Sequence, residues 1–165
     1  MEIVNFFDNK SLYEKAEETF FIHKALIEEL LPEADVQHVG STAIPNSITK
    51  GDLDIQVRVK AINFPNAVKE LTKLYELNEG SVKTETFRAF KDDSTVPPVG
   101  VQLTVINSEF DFFWKFRDIL KMNDNYRKEY DNLKRKYEGM GMEDYREAKN
   151  KFFKKVIASA EYKNI

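Results

Sequence analysis

The sequence predicts an α+β fold, a small mixed β-sheet packed with helices and followed by a helical C-terminal third. Three observations carry that expectation. Strand-like alternation is confined to the middle of the chain, over residues 36–39, 52–59 and 99–106. Helical periodicity occupies both ends. Between them, the stretch HVGSTAIPNSITKGDLDIQVRV at 38–59 runs from a short strand through a Gly40-Ser41 turn into a second strand bearing two aspartates.

The 165 residues suit one domain over 1–165, with a sheet-bearing core over about 11–106 and a helical part over about 108–162. Hydrophobic residues at 42% and aromatics at 13% supply a core and exclude a disordered chain. The net charge of −3 gives no electrostatic reason to expect nucleic acid as a partner. Without cysteine there is no disulfide framework and no thiolate ligand or nucleophile. No apolar run reaches membrane-spanning length and no signal-peptide core is present, so a cytoplasmic protein without a membrane partner is expected. The pattern leaves the oligomeric state open.

In chain order, Ser11 and Glu14 fit a capping box for a helix over 11–31, in which Ala16, Phe20, His23, Ile27 and Leu31 keep the helical period. Pro32 stops it. His23 therefore reads as a core histidine. His38, in the strand entering the Gly-Ser turn, either faces the site or packs and hydrogen-bonds. A second helix over 65–75 places Val68, Leu71 and Leu74 on one face, with Pro65 in its first turn. Residues 83–91 read as a strand by their Thr and Phe content. After a proline-bearing loop, the strand over 99–106 sets Val101, Leu103 and Val105 on one face and Gln102 and Thr104 on the other.

Ser108 and Asp111 resemble a capping box for a helix carrying Phe113, Phe116 and Leu120. A further helix spaces Tyr126, Tyr130, Leu133 and Tyr137 at helical steps until Gly139 and Gly141 break it. The last helix, over 144–160, carries Tyr145, Ala148, Phe152 and Val156. These aromatic stripes predict core packing rather than a surface for stacking bases.

The chemistry concentrates at the turn and the second strand. Strand residues two apart share a face, which sets the Cα atoms of Asp52 and Asp54 about 6–7 Å apart on one side. Carboxylates so placed converge on divalent cations, and two-metal phosphoryl-transfer sites hold their ions about 3.5–4 Å apart. Gly40 has no Cβ to keep a phosphate from the backbone, and Ser41 adds a hydroxyl donor. Lys50, just before the acids, either reaches a triphosphate or lies exposed. Arg88 either points into the same cleft or snorkels along its strand.

The segments HVGSTAIP, TKGDLDI, FFWKFRDIL and YREAKNKFF together resemble the GrpB family, assigned to the nucleotidyltransferase superfamily with the fold of DNA polymerase beta. The resemblance runs over about 38–153. It implies a nucleotidyltransferase-like core with C-terminal helices. It also implies a phosphate-facing role for Lys149, which matches the lysine of the family's Y-x-x-A-K segment. Two departures bear on activity. Many family members resemble K-P-I-I-D where this chain has Lys50-Gly51-Asp52-Leu53-Asp54, so this chain carries an acid that they lack. Active superfamily enzymes supply a third carboxylate from a neighbouring strand. The family usually has H-x-H there, which aligns with Gln102-Leu103-Thr104, so Gln102 and Thr104 mark the third-ligand positions without an anionic group. Glu85, Asp92 or Asp93 would have to compensate.

The function implied is transfer of a nucleotidyl group from a nucleoside triphosphate to an acceptor that the sequence does not identify. Asp52 and Asp54 would hold Mg²⁺ or Mn²⁺, while Gly40, Ser41, Lys50, Arg88 and Lys149 bind the nucleotide. The alternative is a non-catalytic nucleotide-binding or protein-interaction module with a degenerate site.

Overall fold

The computed structural model describes residues 2–165. The chain opens with β1 (Phe7–Asp8) and α1 (Tyr13–Leu30), then β2 (Asp35–Val39) and a 3₁₀ turn at Ser41–Ala43. β3 (Ile48–Thr49), β4 (Leu53–Val59), α2 (Phe64–Leu71), β5 (Glu76–Leu77), β6 (Phe87–Asp92) and β7 (Val99–Val105) follow. Four helices close the chain: α3 (Phe113–Met122), α4 (Asp124–Tyr137), α5 (Met142–Ile157) and α6 (Ala160–Lys163). Among the described residues, no helix is long and apolar enough to cross a membrane.

The main sheet has five strands in the order β2-β4-β7-β6-β5, and β1 pairs with β3 as a separate two-stranded ribbon. The sheet is mixed: β4 and β7 run parallel at its centre and the other neighbours run antiparallel. The expected adjacency of the strands over 36–39, 52–59, 83–91 and 99–106 is observed, with β4 between β2 and β7 and β6 beyond.

Alternation along β4 divides the molecule. Leu53, Ile55, Val57 and Val59 are buried on one face, against Phe20 and Ile27 of α1 and Ala67 and Leu71 of α2. Burying a side chain of this size contributes roughly 1.5–3 kcal/mol, so this layer anchors the sheet. Asp54, Gln56 and Arg58 take the opposite face, where register sets them beside Gly100, Gln102 and Thr104 of β7. A second apolar cluster, including Phe116, Ile119, Tyr130, Phe152 and Val156, knits the C-terminal helices together.

Both predicted capping boxes are corrected. Ser11 donates instead to the Asp8 carbonyl, and α1 begins at Tyr13 without a side-chain cap. Asp111 is drawn into the sheet, where it accepts two bonds from Arg58, at 2.7 Å each, and one from Gln56, at 2.9 Å. Paired charges in a desolvated layer outweigh a local cap, so α3 starts only at Phe113, with the Trp114 N–H donating to Gln56 at 3.0 Å. This polar cluster docks α3 at the Arg58 end of the sheet and leaves the Asp54 end uncovered. His23 and His38 both lie on the α1 side. His23 meets the Tyr75 hydroxyl at 2.6 Å, and His38 stacks on Phe20 with Glu17 at 2.8 Å and Thr42 at 2.9 Å.

Candidate functional site

The uncovered end of the sheet forms the head of a cleft of about 580 Å³ that runs between α3 and α5. Asp52 and Asp54, Gly40 and Ser41, and Lys50, Gln102 and Lys149 all line it. The structure thus gathers seven of the nine positions singled out by sequence, drawn from β2–β3, β4, β7 and α5.

Asp54 is held by its neighbours' lack of side chains. Gly40 ends β2 at φ +75°, in the left-handed region, and a Cβ there would collide with the Asp54 carboxylate. On the other flank, a Cβ on Gly100 of β7 would stand 3.1 Å from Asp54 Oδ1. Burial pushes the Asp54 carboxyl up to about 6, with Lys149 and Lys50 drawing it down and Asp52 raising it. Asp52, one residue before β4, is half exposed, with Lys50 Nζ 3.9 Å from its carboxylate. The two acids therefore share a face but differ in environment.

The glycine-serine turn is fixed from beneath. Asn9, fully buried, donates from one amide nitrogen to the carbonyls of Ser41 (3.3 Å), Thr42 (3.0 Å) and Ile44 (2.9 Å). The Ser41 hydroxyl meets Thr49 at 2.7 Å, and Thr42 donates to the Asp52 carbonyl at 3.1 Å. Hydrogen bonds thus tie the turn to the start of the acid-bearing strand.

Two predicted positions fall elsewhere. Arg88 pairs in register with Leu103, which puts it on the α1–α2 face, where it lies 5.8 Å over the Phe64 ring and donates to the Thr84 carbonyl. Strand parity decides this, because Ala89 and not Arg88 shares the face of Gln102. Thr104 is fully buried two steps beyond Gln102 and accepts from Gln56 at 2.9 Å, so it does not reach the acids. Gln102 does line the cleft, and its carbonyl oxygen is buried without a protein partner. Glu85, Asp92 and Asp93 stay outside the cleft, and among the described residues no three His, Cys, Asp or Glu side chains gather as a metal cluster.

Several residues that line or support the cleft were not singled out. Gly100 had a signal in sequence, as a glycine interrupting a run of strand formers. Asn9 had none, since an Asn in a polar turn is unremarkable. Arg117 and Lys154 became site residues only once α3 and α5 were seen to face each other. The pair Asp52–Asp54 fits Mg²⁺ of the kind completed by substrate phosphates, since Mg²⁺ commonly takes one or two carboxylates and keeps its remaining positions for water and phosphate.

Residues 11–159 match the family described as GrpB protein. A UPF0157 protein of Vibrio cholerae is 38% identical over 138 residues, 81% of this chain and 71% of that protein. A UPF0157 protein of Halalkalibacterium halodurans is 30% identical over 133 residues, 76% of this chain and 66% of that protein. The chain thus spans about two-thirds of these relatives' lengths. Among solved structures, the conserved protein GrpB of Enterococcus faecalis superposes with a TM-score of 0.62 at 20% identity, over 90% of this chain and 91% of that one. A cytoplasmic RNA terminal U-transferase superposes at 0.51 and 10% identity, over 74% of this chain and 38% of that one, a likeness of fold alone.

Proposed function

The chain belongs to the GrpB family, and from that premise we propose that it transfers a nucleotidyl group from a nucleoside triphosphate to an acceptor, with Mg²⁺, or Mn²⁺ in its place, held by Asp52 and Asp54. The observation that carries this reading is the Asp54 carboxylate set between Gly40 and Gly100 at the head of the cleft, with Asp52 beside it. The nucleotidyltransferase-like fold supports it.

In this reading the missing side chain of Gly40 leaves room for the Asp54 carboxylate, and the Asn9 clamp keeps the turn backbone in place before substrate arrives. Lys50 and Lys149 set cationic ends beside the acids, where the negative charge of a triphosphate would gather. The metal would supply charge neutralisation on the phosphates. An acceptor hydroxyl attacks the α-phosphorus; its oxygen forms the new P–O bond and its proton passes to solvent, while the bond to the β-phosphate breaks and pyrophosphate leaves. Catalysis is then chiefly positioning and electrostatic stabilisation.

One observation favours a second reading. The third-acid position holds the neutral Gln102, and this suits a module that binds nucleotide without turnover. Calorimetry with a non-hydrolysable triphosphate tests the shared part: affinity should be clearly higher with Mg²⁺ than with EDTA, and equal affinities would refute the metal-clamp arrangement. Pyrophosphate release from radiolabelled triphosphates with mixed acceptors then separates the enzyme from the binding module.

A further inference from the structure

Thr49, Lys50 and Asp52 line the cleft from a segment with little structure of its own. β3 is two residues long and pairs with the equally short β1, and a two-stranded ribbon is marginal without outside support. Downstream, the Leu53 N–H donates to the Pro98 carbonyl at 2.9 Å and fixes the start of β4. The upstream end is fixed from α4. Arg127 donates to the Asn46 carbonyl at 3.0 Å. Asp131 accepts from the Ser47 hydroxyl and, at 3.2 Å, from the Ile48 N–H. Lys134 donates to the Ile48 carbonyl at 2.6 Å and to the Ser47 hydroxyl oxygen at 3.2 Å. Both backbone groups of Ile48 are thus taken by one charged pair, a turn apart on α4.

Burial makes that pair costly. Asp131 and Lys134 are 5% and 1% exposed, and a buried ion pair is often no more stabilising than apolar residues of the same volume. Apolar side chains, however, could not direct the N–H and C=O of Ile48. That direction matters one residue further on. Thr49 turns its hydroxyl to that of Ser41 at 2.7 Å and accepts from the Gly51 N–H at 3.1 Å. A slip of one residue would turn Thr49 to the other face and carry Lys50 and Asp52 with it. The Lys134 ammonium also lies 3.9 Å from the centre of the Tyr130 ring, which lines the cleft.

We infer that Asp131 and Lys134 are positioning residues of the nucleotide site. They hold Ser47 and Ile48 so that Thr49 meets Ser41 and so that Lys50 and Asp52 face the cleft. Neither lines the cleft itself, and both act through the segment they grip. That the groups so placed bind a nucleotide rests on the nucleotidyl-transfer reading; the grip on residues 47–52 does not.

The test separates positioning from stability on the full chain. Lys134→Met and Asp131→Leu each leave the partner's charge buried and unpaired, so each alone should lower Tm. The double variant leaves no such charge and should melt above either single variant. Its site should nevertheless be lost. Hydrogen exchange of the amides over 47–52 should quicken by about tenfold or more while that over 53–59 and 99–105 stays as in wild type. Calorimetry should show Mg²⁺-dependent affinity for a non-hydrolysable triphosphate weakened by about tenfold or more. Ile27→Ala, which hollows the core on the other face of the sheet, should lower Tm and leave that affinity within about twofold. A double variant with wild-type exchange over 47–52, or with wild-type triphosphate affinity, overturns the inference. If the double variant does not fold, the same two measurements on Lys134→Met, compared with Ile27→Ala, decide it. Wild type that binds no triphosphate overturns nucleotidyl transfer instead, and the exchange rates then decide the grip by themselves.

Discussion

The Asp54 carboxylate occupies the space that a side chain on Gly40 would fill. This one contact joins the end of β2 to the acid of β4, and it explains why a residue at φ +75° stands at that point in the chain. A larger residue at position 40 would have to strain the backbone and displace the acid together.

Gly40→Ala should therefore damage both stability and site. A backbone at φ +75° and ψ −175°, a conformation essentially confined to glycine, costs an alanine about 1–3 kcal/mol before any clash, and the displaced carboxylate adds to that. Thermal denaturation should show a clear fall in Tm, and Mg²⁺-dependent triphosphate binding should be lost. Gly100→Ala is the milder comparison, because its Cβ would meet Asp54 Oδ1 at 3.1 Å and a shift of a few tenths of an ångström relieves it. A Gly40→Ala protein as stable and as competent as wild type would mean that this contact does not hold the acid.

Asp54→Asn should separate stability from binding. In the metal-free protein burial raises Asp54 from 3.8 to about 6, so the folded chain holds that proton more tightly than the unfolded chain. Ionisation consequently destabilises the fold progressively from about pH 4 to pH 6, and the full penalty persists above. Removing the charge should stabilise the protein at pH 7.5 in EDTA by about 1–3 kcal/mol and change little at pH 4. The same variant should lose the coupling between Mg²⁺ and triphosphate. Denaturant melts at the two pH values measure the first effect and calorimetry the second.

The sheet and the acids were legible because period two is a strong local signal, and Asp54, Ile55 and Val57 keep it without interruption. Other features depend on partners distant in sequence. β1, β3 and β5 have two residues each, too few to show a period, and exist because β1 pairs with β3 and β5 with β6. Asp111 was read as a cap because Ser108 lies three residues before it, yet its partner Arg58 is 53 residues away. Arg88 shows the limit of strand parity: a one-residue difference in register decides the face, and only pairing with Leu103 settles it. Lys134 stands in the charged stretch KRKYE at 134–138, where residue type alone favours a solvated face.

Lys134 is in fact buried. Its ammonium donates to the Ile48 carbonyl at 2.6 Å and to the Ser47 hydroxyl at 3.2 Å, and stands 3.7 Å from Asp131. Burial lowers it to about 7, against the attraction of Asp131, so between pH 7 and about 10 the unfolded chain binds more protons than the folded one. Stability should accordingly rise with pH over that window, by up to about 1.4 kcal/mol per unit. Urea unfolding of wild type at pH 7, 8 and 9 should show the rise, and Lys134→Met should remove it. A flat wild-type profile would mean that Asp131 keeps the ammonium charged throughout.

The neutral third position can be tested by filling it. Gln102 lines the cleft on the face of Asp54, next along β7 from Gly100, and its carbonyl oxygen has no protein partner. Gln102→Glu keeps the length of the side chain and adds an anion beside the two already there. Like charges at close range in a partly buried site repel, so this variant should melt at a lower temperature than wild type in EDTA. Mg²⁺ should restore the loss, and its affinity without nucleotide should exceed that of wild type. Thr104→Asp should behave differently. Thr104 is fully buried and accepts from Gln56, which also reaches Asp111. A carboxylate there would enter the polar cluster that docks α3, beyond reach of Asp52 and Asp54, so its destabilisation should not respond to Mg²⁺. Melting curves of both variants in EDTA and in Mg²⁺ decide the matter. Recovery by Mg²⁺ in Thr104→Asp, or its absence in Gln102→Glu, would mean that β7 does not present its third position to the acids as its register with β4 requires.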